Sequence, residues 1–113
     1  MAQSQVQLQD ESGEGLLARA YEHAYDQGWT DGLPIIPATP ESVRRFVAAS
    51  GRAADDMIGL VPPRKGRATV EAIAVNAIMA GCRPEYLPVI IAAVDGMLDP
   101  SYPLEFMQVT TNP

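Results

Sequence analysis

Residues 68–88, ATVEAIAVNAIMAGCRPEYLP, decide how this chain folds. Thr69 is placed to cap a helix. From Val70 to Ala80 the residues Ile73, Ala74, Val75, Ala77, Ile78 and Met79 cover most of the helix surface. A helix that is apolar nearly all round lies between other elements. Gly81 stops it, and Pro84 takes the first position of a second helix. Pro88 either begins or kinks the body of that second helix, Val89 to Leu98. The stretch therefore predicts a buried helix–Gly–helix hairpin, with the one cysteine, Cys82, at its elbow.

Outward from the hairpin the elements are shorter. Upstream, Met57–Val61 reads as a strand broken by Pro62-Pro63, and Arg64-Lys65-Gly66-Arg67 reads as a basic loop. Thr39-Pro40 opens an earlier helix whose buried stripe is Val43, Phe46 and Val47, with Gly51 to end it. Trp29 to Pro37 is turn and extended chain, since its prolines exclude helix. Leu17, Ala20, Tyr21, Ala24 and Tyr25 give residues 16–27 the spacing of an amphipathic helix, closed by Gly28. Downstream, Leu104 to Thr111 reads as a strand, and such an edge is usually paired or covered. The order predicts an α/β (mixed α+β) fold: a small helical domain with a few short strands, completed by a partner chain.

The 113 residues allow one domain, expected over residues 16–113 behind a flexible acidic leader at residues 1–15. A chain of this size buries roughly 65% of its unfolded surface, enough for one modest core. A net charge of −6 argues against nucleic acid as a partner. The longest apolar run, Leu87 to Val94, is far short of the ~20 residues that span a bilayer, so no membrane association is expected. The lone cysteine excludes an internal disulfide and fits a reducing cytoplasm. One His and one Cys without clustered carboxylates predict no metal site, and no motif points to a particular cofactor.

Four groups of residues invite a chemical reading, each beside a plainer one. Cys82 is a candidate catalytic thiol. The dipole of the helix before it opposes a thiolate, whereas Arg83 and the next helix N-terminus favour one. The plainer reading is a small, buried core residue, and His23, on the polar side of the first helix, is no obvious base for it. Arg64 and Lys65, before a helix N-terminus at Thr69, form a candidate anion site or an exposed loop. Glu71 either serves the helix dipole or binds substrate. Asn76, five residues later in an apolar helix, must find partners if buried, as a structural hydrogen bond or by orienting a substrate in catalysis. Thr110 and Thr111 end the expected strand as candidate substrate contacts or as an exposed terminus.

The motifs Gly28-Trp29-Thr30-Asp31-Gly32-Leu33-Pro34, Val61-Pro62-Pro63-Arg64, Ala68-Thr69-Val70-Glu71 and Asn76–Tyr86 together carry a resemblance. Over residues 16–113 the chain resembles the N-terminal part of a poorly characterised bacterial family associated with, or fused to, UGSC-motif (seleno)proteins. The UGSC motif itself does not occur here, so no selenocysteine or redox pair is implied. Longer members of that family continue beyond the position of Thr110–Pro113. The resemblance therefore implies a small subunit or domain of a cytoplasmic bacterial enzyme, completed by a second chain. Its chemistry would be redox or carbon–heteroatom bond chemistry on a small anionic or polar substrate. The competing reading is a non-catalytic interaction or scaffold subunit that stabilises a larger partner.

Overall fold

A computed structural model describes residues 7–8 and 12–109. It shows a small mixed α+β domain in the order α1 (Gly13–Asp26), α2 (Pro40–Ser50), β1 (Met57–Val61), β2 (Gly66–Thr69), α3 (Val70–Met79), a 3-10 turn (Pro84–Tyr86), α4 (Leu87–Met97) and α5 (Leu104–Val109). No helix among the described residues is long and apolar enough to cross a membrane.

The hairpin read from residues 68–88 is the centre of the molecule. Within α3, Val70 and Ala74 are completely enclosed, and Ile73, Ala77 and Ile78 are buried with them. Phe46 of α2 and Leu87 and Ile91 of α4 complete this core. Full burial of a Val or Leu side chain stabilises by about 1.5–3 kcal/mol, so α3 is held mainly by α2 and α4.

The elbow after α3 is fixed by its backbone. Gly81 adopts φ 85°, the left-handed region that favours glycine. Its N–H donates to the Ile78 carbonyl at 2.9 Å, and the Cys82 N–H donates to the Ala77 carbonyl at 2.9 Å. These are the paired bonds of a Schellman motif, which satisfies the carbonyls that a helix end leaves open. At the start of α2, Thr39 and Ser42 cap each other's backbone N–H groups in a capping box.

Three expectations change. The leader is shorter than residues 1–15, because Ser12 caps a helix that already includes Gly13 to Gly15; the Gly15 N–H donates to the Ser12 hydroxyl at 2.9 Å. That cap and Glu14 in the first turn outweigh the poor helix propensity of the two glycines. The segment after Pro103 is the helix α5, not a strand. Leu104, Glu105, Met107 and Gln108 are strong helix formers, and the Met107 N–H reaches back to the Pro103 carbonyl at 3.0 Å. The basic loop is also not adjacent to α3. Residues 62–65 form the turn of an antiparallel hairpin, and β2 pairs Gly66 with Val61 and Arg67 with Leu60 before running into α3.

Opposite Ala68, β1 passes close to the end of α4: a methyl group on Gly59 would lie 2.7 Å from Leu98 Cδ1. Glycine is favoured there by proximity rather than by backbone angle, because any larger residue obliges the Leu98 side chain to shift.

Candidate functional site

The elbow opens onto a cavity of about 530 Å³. Its floor is apolar, from the buried Phe46 and Ile78, and its rim is polar, from Ser42 and Arg45 of α2 and from Cys82, Arg83 and Glu85 after α3. The position of each group follows from local structure. The Schellman bond draws Cys82 back under α3, where it is half-buried and packs against the core. Ser42 and Arg45, three residues apart on α2, share one helix face. The Ile36 N–H donates to the Met79 carbonyl at 3.1 Å, which pins the extended segment before α2 to the end of α3 and closes the far wall.

The charges at the rim are unequal in freedom. Arg83 Nε donates to Glu85 Oε1 at 2.7 Å. That hydrogen bond holds the Glu85 carboxyl below its ordinary range and the Arg83 guanidinium above its own. Both side chains are largely exposed, so the pair adds little stability. Arg45 is exposed and has neither a hydrogen bond nor a carboxylate partner among the described residues. With Arg83 shared with Glu85, the rim keeps one net positive charge above a thiol. Such an arrangement can attract and orient a small anion. No imidazole faces it: His23 sits edge-on to Trp29, ring centroids 5.3 Å apart, and lines a different groove. The cavity holds a thiol and cations but no histidine base.

The residues singled out from sequence divide into separate places. Cys82 lies in the cavity. Arg64 and Lys65 occupy the exposed hairpin turn, with Lys65 at φ 56°. The four residues of β2, roughly 13 Å at strand rise, separate this turn from the start of α3. The α3 N-terminus is itself occupied. The Val70 N–H donates to the Asp56 carbonyl and the Glu71 N–H to the Ala54 carbonyl, each at 2.9 Å. The Ala72 N–H donates to the Thr69 hydroxyl at 3.1 Å. The expected anion cradle of Arg64, Lys65 and the N–H groups near Thr69 is therefore not assembled, because the loop before β1 already fills it.

Asn76 is exposed rather than deep in the core, and its side-chain amide donates to the Ala72 carbonyl at 2.8 Å. It faces neither hollow. Glu71 is half-buried and lines a second, larger groove of about 940 Å³ between α1, α2 and α3. Thr110 and Thr111 lie outside the described residues. Among the described residues no three His, Cys, Asp or Glu side chains gather as a metal site. Sequence reasoning missed Arg45 altogether. The only signal was its i+3 spacing from Ser42 on the polar face of α2, which acquires meaning once the elbow is folded against it.

No family model matches this sequence, and neither a curated protein nor a solved structure shows significant similarity to it.

Proposed function

We propose that this chain is a small subunit or domain of a bacterial enzyme acting on a small anionic substrate, bound in the cavity at the helix elbow. The observation that supports it is the convergence of Arg45 and Arg83 with the half-buried Cys82 around one hollow of about 530 Å³. Arg45 supplies an unengaged guanidinium for the anion. Arg83 stays anchored to Glu85 at the opposite rim. Cys82 approaches the reacting group, and the second chain contributes the base that the cavity lacks. Apolar side chains left exposed in the isolated chain, Val89 on α4 and Phe106 on α5 among them, are consistent with such a partner. The lone thiol fits a cytoplasmic setting.

The test is a titration of the 15N-labelled chain with inorganic phosphate and with acetate. Saturable shifts are expected at the Arg45, Cys82 and Arg83 amides, abolished in Arg45→Ala. If the shifts do not saturate, or persist in Arg45→Ala, the anion site is elsewhere.

The exposed apolar surface equally favours a scaffold subunit that only stabilises its partner. In the reconstituted complex, Cys82→Ser and Arg45→Ala separate the two readings. The enzyme reading requires turnover to fall in both variants, while unchanged turnover with intact assembly would assign the chain to scaffolding.

A further inference from the structure

The larger groove lies across Pro37 and Thr39 from the elbow cavity, since these two residues line both hollows. It belongs to neither the anion site nor the core. One wall is α1, through Leu16, Leu17, Ala20 and Ala24; the other is α2 and α3, through Val43, Val47 and Met79. No extensive packing joins α1 directly to any other element. It is tied instead at its C-terminal half, where Tyr21 Oη donates to the Gly32 carbonyl at 2.6 Å. The N-terminal half of α1 thus stands off across an apolar gap with Leu17 more than half exposed. Open apolar walls of this extent are costly in water.

The chain itself reaches into the gap. Leu8, four residues before the Ser12 cap, is half-buried and lines the groove, while its neighbour Gln7 is exposed. Residues 7 and 8 belong to no helix, and in extended chain residues two apart share a face. By sequence, Val6 is two positions before Leu8, the spacing that shares a face in extended chain. The sequence Val6-Gln7-Leu8 is apolar, polar, apolar, as a strand lying along an apolar trough requires.

We infer that the groove is the docking site of this chain's own leader, with Val6 and Leu8 as the two side chains that fill it and bind α1 to the body of the domain. The leader is then an internal ligand of the groove.

Three measurements test this on the full chain. Methyl–methyl NOEs are expected from Val6 and Leu8 to Val43 and Val47; their absence overturns the assignment. Leu8→Asp, Val6→Asp and a chain beginning at Ser12 should each raise the fluorescence of added ANS by roughly threefold or more at unchanged helical circular dichroism. Equal fluorescence with and without the leader would show that the leader does not cover the groove. If the NOEs appear only between differently labelled molecules, or the fluorescence depends on protein concentration, the occupant is a second copy and the inference fails. Retention of the NOEs in wild type keeps the test valid even if a variant unfolds.

Discussion

Helices α3 and α4 have nearly the same amino-acid character, and only one of them is enclosed. Five of the ten residues of α3 are buried. Of the eleven residues of α4, all apolar or glycine except Asp95, only Leu87 and Ile91 are buried. Ala92, Ala93 and Gly96 are exposed, and Val89 is 71% exposed. The difference is one of neighbours rather than of sequence. Helix α3 has α2, α4 and β2 around it, whereas α4 has α2, α3 and β1 on one side. Apolar composition therefore reports how much of a helix is meant to be covered, and for α4 this chain supplies about half of the cover.

That contrast is open to breakage at single residues. The largest effect belongs to Leu87, which is fully enclosed: Leu87→Ala should destabilise the chain by about 2–5 kcal/mol in urea unfolding. Two residues along the same helix, Val89→Ala should change the isolated chain by less than about 0.5 kcal/mol. A comparable loss at both positions would mean that α4 is already covered on both faces. Gly59→Ala comes next, because its new methyl group meets Leu98 where β1 crosses the end of α4. A cost of about 1–3 kcal/mol is expected, and a neutral result would show that this side of α4 is loosely packed too.

Gly81→Ala probes the joint between the two helices. A methyl group there meets nothing within 4 Å, so the cost is conformational alone, about 1 kcal/mol. Thermal unfolding would register it. The smallest effect is electrostatic. Hydrogen bonds from Arg83 to Glu85, and from the Ser101 side chain and backbone to Asp99, hold both carboxyls below their ordinary range. A carboxyl depressed in the folded state contributes stability above its unfolded pKa and loses it as pH falls through the folded one. Carboxyl NMR titrations should therefore show both midpoints below the usual carboxylate range. The accompanying change in stability should be slight, since both groups are fully exposed to solvent.

Much of this fold was legible because its punctuation is local. Thr39-Pro40 and Thr69 cap helices, and Gly28, Gly51 and Gly81 all end helices with positive φ. Such residues act within a few positions of themselves, so no tertiary knowledge is needed. The strand β2 was not legible. Gly66-Arg67-Ala68-Thr69 has no apolar alternation, and it is a strand only because β1 lies opposite. Residues 104–109 misled in the other direction: Leu104 and Phe106 imitate period two over a stretch too short to separate it from a helical turn. The site was legible in part. Cys82 could be placed at an elbow, but Arg45 joins it from α2, nearly forty residues earlier, through packing that no local pattern encodes. The exposure of Asn76 was hidden for a related reason, because a helix apolar nearly all round does not reveal which face it leaves open.

The Schellman bond has a mechanistic consequence for any chemistry at Cys82. In many enzymes a nucleophile's own backbone N–H helps hold the negative charge that develops on the substrate oxygen. Here that N–H already points into α3, at the Ala77 carbonyl. A tetrahedral oxyanion formed at this thiol would find its donors among side chains, with Arg45 the unengaged cation that lines the same cavity. Charge stabilisation at the elbow would then come from a long, flexible arm rather than from rigid backbone, and its strength would depend on what immobilises that arm.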